Sequence, residues 1–505
     1  MKELEKTSSV CPSCFQEGKI QKINAAIIED EDKVWIIKHC KKHGSFKEIY
    51  FGDINLYKRW MKYKINSKPV YYIKTSLFEG TELYSEHTSQ TMLTNLVITN
   101  RSNLKIDQNF FNAHIDGYVY EPSLEQLREL LQQSRNVKPL GSKSVQLTGG
   151  EPTLRDDLID VIRMTKKIGF SHIQIHTNGL KLAESIDYCQ KLKDEKVNSI
   201  YLSFNGVTNL ANPLINYHKK VLENLKKVDL QVVLVSILIG NKNVYESGKI
   251  IRFALDNIDI VRGVHFQPVF FSRINSSLST EQREKQRIDF IQMFDIIEKE
   301  FLNMISRDDF YPTSIIHNIS QLIETLIKEP QVEFTPHPGC GGSTLIFLED
   351  GNPLPITRFI NIETLINFMN EESKKGGPLR KLRFASSLVK NIERFMNNNK
   401  APNGFDLKQI AKDAAIGGSE YAMRQFHHKT LIIGAMWYQD VWNLNIDRLQ
   451  RCVIHCPSFE GIVPFCSYIG LGYGENIQKK YSFSVNEWEK KTGRNLKDDI
   501  QKNVI

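Results

Sequence analysis

Four potential metal ligands lie near the start of the chain. Cys11-Pro-Ser-Cys14 and Cys40-Lys-Lys-His43 form two pairs with the same spacing. A C-x2-C turn brings two thiolates to one ion, and C-x2-H adds a sulfur and a nitrogen, so together they complete a tetrahedral site. The spacing predicts a closed, structural site for mononuclear iron or zinc, and it does not separate these metals. The alternative is a set of free buried cysteines with a surface histidine.

A second chemical feature is Thr148-Gly-Gly-Glu-Pro152, which follows a β-branched run and precedes an amphipathic segment. Gly149 and Gly150 allow a close backbone approach to a ligand, and Pro152 stiffens the exit of the turn. Glu151 can accept a hydrogen bond from a ligand ammonium group. Taken alone, the same residues could form an ordinary turn between a strand and a helix.

A second group of thiols lies in the C-terminal part of the chain. Its members are Cys340, Cys452, Cys456 and Cys466. They can enclose an auxiliary [4Fe–4S] cluster or a zinc ion if the turn near Pro338 folds against the tail, and packed free thiols are the other alternative. Cys189 lies within an amphipathic stretch and is predicted to be a small buried hydrophobic residue.

Six short β-branched runs alternate with amphipathic stretches in the middle of the chain. They are Asn95–Thr99, Ser144–Thr148, His172–Thr177, Ser199–Phe204, Val232–Leu238 and Val264–Phe266. Ser123 and Gln126 have capping-box spacing and mark the start of one helix between them. This alternation predicts an α/β fold, a full or partial (β/α)6 TIM-like barrel, whose ligand site lies at the carboxyl ends of the strands.

The sequence as a whole divides into three predicted units. Residues 1–65 are predicted to be a rubredoxin-like or zinc-knuckle-like module, 66–270 the barrel, and 271–505 an α+β extension with an auxiliary metal site. Within the extension, Ser279–Met304 is predicted to be a helix and Phe334–Phe347 to contain a Pro- and Gly-rich turn.

Composition narrows the class of protein. The 505 residues are 41% hydrophobic and 25% charged with a net charge of +8, and they contain no nucleic-acid-binding motif. No stretch is long and apolar enough for a membrane span, and the start of the chain has no apolar signal core. We therefore expect a cytoplasmic protein without a nucleic-acid partner.

The residues at 148–152 resemble the GGEP turn with which radical S-adenosylmethionine (SAM) enzymes hold the methionine amino group of their cofactor. A wider resemblance covers nearly the whole chain. It is carried by residues 99–104, 118–124, 176–179, 202–207, 261–268, 335–341, 355–359 and 451–456. These segments are similar to the archaeal tetraether lipid synthase group, which also includes radical methylases of the methanopterin cofactor.

The resemblance implies a fold, cofactors and an activity. SAM would be bound by Gly149, Gly150, Glu151, Pro152, Asn178 and Ser203, and the tail thiols would hold an auxiliary [4Fe–4S] cluster. The tetraether enzyme joins isoprenoid chain ends through a carbon radical. The expected partners are therefore an archaeal-type lipid or other long alkyl substrate, a reductant protein if the enzyme is active, and peripheral contact with membrane lipid.

One segment departs from this family. Its catalytic cluster motif, C-x3-C-x2-C, falls on Ser102, Ile106 and Asn109, and none of these is a thiolate. A second cysteine-rich stretch just upstream falls on Ser76, Thr81, Tyr84 and Met92. The catalytic [4Fe–4S] cluster expected of the family therefore lacks its ligands, so we expect impaired radical generation and weakened SAM binding.

Two functional hypotheses follow from this departure. The first is a tetraether-synthase-type scaffold that is disabled at the radical step. The second is a noncatalytic paralogue that still binds the cofactor or a lipid. A zinc-stapled barrel with unrelated chemistry is a weaker third alternative, because no paired nucleophile and base is present to support it, and no residue is assigned as catalytic.

Overall fold

The computed structural model of the chain describes residues 1–65, 88–104, 111–271, 278–409 and 430–501. An antiparallel sheet with the order β1-β2-β3-β4 comes first. Its elements are β1 (Lys2–Val10), α1 (Pro12–Gln16), β2 (Lys22–Asp30), β3 (Lys33–Cys40), β4 (Gly44–Phe51) and α2 (Ile54–Met61). Alternate residues of β3 are buried, including Val34 and Ile36, so one face of this sheet packs inward.

The predicted barrel strands are confirmed. The strands are β5 (Leu93–Thr99), β6 (Tyr118–Val119), β7 (Ser144–Gly149), β8 (His172–Thr177), β9 (Ser199–Ser203), β10 (Val232–Leu238) and β11 (Val261–Pro268). All of them except the short β6 run parallel to their neighbours in one sheet. Their carboxyl ends therefore share one edge, where an α/β ligand site is expected.

Helices cover the outer face of this sheet. They are α3 (Ala113–Asp116), α4 (Leu124–Asn136), α5 (Leu158–Ile168), α6 (Leu180–Glu184), α7 (Ile186–Asp194), α8 (Ile215–Lys227) and α9 (Ser247–Asp256). The capping box predicted at Ser123 is present, since Gln126 N donates to Ser123 Oγ and Ser123 N donates to Gln126 Oε1. Leu127, Leu130 and Leu131 are fully buried, so this helix packs by the face predicted from its sequence.

The C-terminal strands enlarge the same sheet. They are β12 (Tyr311–Pro312), β13 (Gly341–Glu349), β14 (Asn352–Pro355), β15 (Thr430–Met436), β16 (Ile454–Ser458) and β17 (Gly461–Pro464), whereas β18 (Phe483–Ser484) pairs with β6 in a separate two-stranded sheet. β15 pairs parallel to β11 at one edge, and β16 pairs parallel to β5 at the other. The six predicted parallel strands thereby become eight, β15-β11-β10-β9-β8-β7-β5-β16. The extension thus continues the barrel sheet.

The remaining helices are α10 (Thr280–Gln286), α11 (Phe290–Glu300), α12 (Ile316–Ile327), α13 (Ile362–Ser373) and α14 (Arg380–Asn391), followed by Ile446–Gln450, Phe465–Gly470, Tyr473–Lys480 and Val485–Thr492. The prediction of one helix over Ser279–Met304 is wrong. Arg287 adopts an extended conformation, and Asp289 caps a new helix by accepting from the backbone of Gln292. At this break Arg287 pairs with the buried Asp440.

The turn predicted around Cys340 is present but short. Residues Pro338–Cys340 form one 3-10 turn, and Gly341 already begins β13. In the described part of the chain, none of the helices has the length and apolar character needed to cross a bilayer.

Candidate functional site

The four N-terminal ligands converge on one point. Their ligand atoms all lie within 4.8 Å of one another. His43 Nδ1 is 3.5, 3.4 and 3.7 Å from the sulfur atoms of Cys11, Cys14 and Cys40, and Cys14 Sγ is 4.0 Å from Cys40 Sγ. Tetrahedral zinc requires about 3.8 Å between sulfur atoms and about 3.6 Å from sulfur to nitrogen. The side chains therefore fit a four-coordinate ion as they stand.

The surroundings of this site prepare it for a cation. His43 Nε2 lies 3.1 Å from Glu17 Oε1, which orients Nδ1 toward the sulfur atoms, as carboxylates do for metal-bound histidines. Burial opposes ionisation of the Cys40 thiol, but backbone N–H groups of Lys42 and His43 overcome it and lower the pKa of Cys40 to about 6. The site therefore offers a thiolate near neutral pH.

A pocket opens at the carboxyl ends of the barrel strands. It contains four of the residues predicted to bind a cofactor: Gly149, Gly150, Asn178 and Ser203. Sequence reasoning missed most of its other lining residues, which include Asn95, Leu104, Phe111, Gln146, His176, Asn205, Asn212, His218, Gln267, Tyr438 and Phe465. Asn95, Gln146, His176 and Gln267 are polar residues within the barrel strands, and a polar side chain in an otherwise apolar strand was the signal that could have identified them.

The two glycines of the turn allow close packing between two strand ends. A Cβ atom on Gly149 would lie 2.0 Å from Thr99 O, and one on Gly150 would lie 2.2 Å from Arg101 O. Both distances are far below van der Waals contact. Any side chain here would push the end of β7 away from the end of β5, so the glycines determine the shape of this corner of the pocket.

Glu151 is fully buried behind the pocket. Its Oε1 accepts from Thr153 N, Thr153 Oγ1 and Thr177 Oγ1, and its Oε2 accepts from Asn178 N. Burial raises the pKa of Glu151, although these hydrogen bonds act in the opposite direction. Pro152 starts a short 3-10 turn and is also buried. In this structure Glu151 ties the end of β8 to that turn, and the two residues support the pocket from behind.

Neutral polar groups surround the pocket. Ser203 Oγ is 3.2 Å from His176 Nε2, and Asn178 Nδ2 donates to Asn103 Oδ1 at 2.7 Å. His218 Nε2 lies 3.0 Å from Asn178 O. Burial lowers the pKa of both His176 and His218 to about 4, so these rings are uncharged at neutral pH. The pocket can therefore form hydrogen bonds with a ligand, and His176 and His218 add no positive charge to it at neutral pH.

The loop after β5 is held by protein contacts. The Ser102 side chain is buried, and its Oγ is 3.2 Å from both the N and the O of Leu104. Arg101 is 1% exposed and pairs with Glu121 at 2.8 Å and with both oxygens of Asp499 at 3.0 Å. Gln501 N also donates to Asn103 O at 3.2 Å. The C-terminal residues therefore brace this loop, a link that the sequence did not indicate.

Other predicted positions near this loop lie outside the described residues, namely Ser76, Thr81, Tyr84, Ile106 and Asn109. Met92 is described, and its N donates to Val453 O just before β5 begins.

The four tail thiols lie in one region. Cys340 ends the turn Pro338–Cys340, Cys452 lies just before β16, Cys456 lies within β16, and Cys466 lies in the helix Phe465–Gly470. Burial raises the pKa of Cys452 to about 11, and the charge of Cys340 contributes to this rise. Cys452 in turn contributes to the raised pKa of Cys456 and Cys466. Among the described residues, the ligand separations that tetrahedral zinc needs occur in the N-terminal site alone.

Comparison with known proteins adds to this geometry. Residues 3–52 match a family model described as the HMPTM N-terminal zinc ribbon domain, and residues 108–254 match that of the radical SAM superfamily. The chain is 34% identical over 504 residues to the 7,8-dihydro-6-hydroxymethylpterin dimethyltransferase of Methanocaldococcus jannaschii, covering 96% of this chain and 97% of that protein.

More distant similarity is confined to part of the chain. A probable GTP 3′,8-cyclase of Saccharolobus solfataricus is 26% identical over 198 residues, which cover 38% of this chain and 63% of the cyclase. Its counterpart in Sulfurisphaera tokodaii is 28% identical over 195 residues, or 36% of this chain and 61% of the cyclase.

The two family models identify the N-terminal module as a zinc ribbon and the middle of the chain as a radical SAM domain.

Proposed function

This chain belongs to the family of the Methanocaldococcus jannaschii 7,8-dihydro-6-hydroxymethylpterin dimethyltransferase within the radical SAM superfamily, and from that premise we propose that it binds SAM and a pterin-like heterocycle without generating a radical. The observation that carries this proposal is a pocket that combines amide, histidine and apolar side chains, beside a loop whose sequence has no cluster cysteines. The tetraether lipid activity implied by the sequence resemblance is the less favoured branch, because the relative is named for a pterin.

The polar lining of the pocket supports a heterocyclic ligand. Gln174 Nε2 donates to Gln146 Oε1 at 2.7 Å, and Gln146 Nε2 donates to Asn95 Oδ1 at 3.0 Å, so three amides form a chain across β8, β7 and β5. Amide groups present donors and acceptors side by side, which suits the edge of a flat heterocycle. Gln146 and Asn95 line the pocket and keep further donor and acceptor capacity beyond these bonds, which a heterocycle could use and an isoprenoid chain could not.

The residues near the loop do not fit a catalytic iron–sulfur cluster. Such a cluster needs three thiolates, and the eight cysteines of the sequence contain no C-x3-C-x2-C arrangement. Ser102, at the first of the three aligned positions, is buried and bonded to Leu104. We therefore propose that radical generation is lost, and no reaction step is assigned to the barrel.

Binding of SAM remains compatible with the pocket. Gly149, Gly150, Asn178 and Ser203 line it and belong to turns that hold this cofactor in the resembling enzymes. Without the iron that would grip the amino and carboxylate groups of SAM, these residues provide only hydrogen bonds. We expect an affinity in the micromolar range or weaker, about −8 kcal/mol or less favourable.

Calorimetry on the anaerobically purified full chain tests this proposal. SAM and a dihydropterin should bind, and incubation with SAM and dithionite should yield no 5′-deoxyadenosine. Ser203→Ala should weaken SAM binding about fivefold through loss of one hydrogen bond, whereas Ser171→Ala, at an exposed hydroxyl, should leave it unchanged. Formation of deoxyadenosine, or failure of both ligands to bind, would contradict the proposal.

We further propose that the tail thiols hold an auxiliary [4Fe–4S] cluster. Arg448 supports this, because its Nε lies 3.3 Å from Cys340 Sγ and brings a positive charge to the place where an anionic cluster would be held. Cys456→Ser should abolish sulfide-associated iron, whereas Cys189→Ser, in α7 and bonded to Leu182 O, should retain it. Equal iron in the two variants would contradict this assignment.

A further inference from the structure

The C-terminal extension carries a surface that the proposed function does not use. It consists of the loop before α14, the exposed residues of α14 from its first to its last turn and the exposed side of α12, and we call it the basic–apolar patch. Its members are Ile319, Ile323, Ile327, Lys374, Lys375, Leu379, Arg380, Lys381, Leu382, Arg383 and Lys390. Two hydrogen bonds join its parts, from Arg380 Nε to Leu326 O and from Thr325 Oγ1 to Ser373 O, both at 2.8 Å.

Positive charge is concentrated in this patch. Residues 374–392 contain six Lys or Arg and no Asp or Glu, in a chain whose total net charge is +8. Lys375 pairs with the buried Glu372, and Arg383 donates to backbone carbonyls, which leaves its charge in place. Lys374, Lys381 and Lys390 are exposed and form no ion pair within the described part of the chain. Basic residues thus outnumber acidic ones on this surface, where Glu324 is exposed on α12 and Glu371 and Glu393 flank the segment.

Large apolar side chains stand among these cations. Leu379 is 73% exposed and Leu382 is 54% exposed, and they are three residues apart at the start of α14. Leu379 also has a φ of +54°, a left-handed conformation that costs a non-glycine residue about 1 kcal/mol. The neighbouring α12 exposes Ile319, Ile323 and Ile327 at four-residue intervals. Exposed apolar groups of this number mark a contact surface.

We propose that the basic–apolar patch docks on the surface of an anionic phospholipid bilayer. Lysine and arginine at a membrane surface attract lipid phosphates, and leucine or isoleucine side chains insert between the headgroups. A nucleic acid would share the phosphate chemistry, but single strands are normally bound by aromatic stacking and duplexes by phosphate contacts that make no use of exposed leucine and isoleucine. The one aromatic residue of this segment, Phe384, packs into the apolar cluster beneath the patch. Lipid is therefore the occupant that matches both properties.

Vesicle sedimentation with the full chain tests the proposal. The protein should bind vesicles that contain 30 mol% phosphatidylglycerol and should not bind pure phosphatidylcholine vesicles. The triple variant Lys374→Gln, Lys381→Gln, Lys390→Gln should bind about 100-fold more weakly, at about fivefold for each charge. The matched control Lys219→Gln, Lys220→Gln, Lys226→Gln changes three exposed lysines of α8 and should bind like the parent.

A second variant separates lipid from other polyanions. Leu379→Ser with Leu382→Ser should weaken vesicle binding about tenfold through loss of apolar insertion, and it should leave binding to single-stranded RNA at its parental level. The proposal is overturned if this variant binds vesicles like the parent, if the two lysine variants are equal, or if RNA binds more tightly than the anionic vesicles.

Discussion

Replacing Asp499 by asparagine tests whether the loop after β5 is held by protein contacts alone. Both Asp499 oxygens lie 3.0 Å from Arg101 Nη1, and the two side chains are 5% and 1% exposed. Burial would lower the pKa of Arg101, but Glu121 and Asp499 raise it above its ordinary value. Arg101 therefore stays protonated, and the two carboxylates compensate its charge.

The expected loss can be worked out from these contacts. Asparagine keeps one acceptor for Arg101 and replaces the other with an NH2 group, which faces a donor. One charge-assisted hydrogen bond is lost, which costs about 1.5–3 kcal/mol. Removal of a sole partner from a buried pair would cost about 3–5 kcal/mol, but Glu121 still neutralises Arg101 at 2.8 Å. We therefore expect a local loss of about 2 kcal/mol.

Hydrogen exchange of the Arg101 amide is the appropriate assay. This amide donates to Thr99 Oγ1 and reports opening of the loop. A loss of about 2 kcal/mol should accelerate its exchange about 30-fold if opening limits exchange. Asp498→Asn changes the exposed neighbouring carboxylate and should alter the rate less than twofold. Equal rates in the two variants would refute the reasoning.

Three further predictions concern other parts of the structure. Cys14→Ser should abolish zinc binding measured by atomic emission, whereas Cys189→Ser should retain about one zinc per chain. Glu151→Gln should lower the free energy of unfolding by about 2 kcal/mol in urea titration, because an amide N–H would face one of the four donors now bound to Glu151. Burial would raise the pKa of Asp440, but Arg287 and two backbone N–H groups lower it below its ordinary value. The ionised form of Asp440 therefore stabilises the fold above about pH 4. This contribution to stability is lost as the pH falls through the lowered pKa. The stability difference between the parent and Asp440→Asn should accordingly shrink between pH 5 and pH 3, and a constant difference would contradict this assignment.

Local patterns made much of this fold predictable. β-branched runs located the barrel strands because each is short, apolar and bounded by polar segments, and the Ser123 capping box identified the start of α4. The zinc ribbon ligands were also predictable, since two short-spaced pairs leave few other arrangements.

Long-range pairing was not predictable in the same way. β15 joins β11 through backbone hydrogen bonds that leave no trace in its side chains. Arg101 and Asp499 are 398 residues apart, and either residue alone is typical of a protein surface. Arg287 interrupts a segment with helical periodicity because its partner, Asp440, lies 153 residues away. Such contacts are determined by tertiary packing, which a local pattern does not record.

We propose that the mouth of the barrel holds no radical-generating cluster. Electron paramagnetic resonance of anaerobically reconstituted and reduced Cys456→Ser protein, with and without SAM, tests it directly, because the proposed tail cluster is removed. We predict no cubane signal and no sulfide-bound iron in this variant. About four irons per chain with a spectrum that shifts on addition of SAM would contradict the claim.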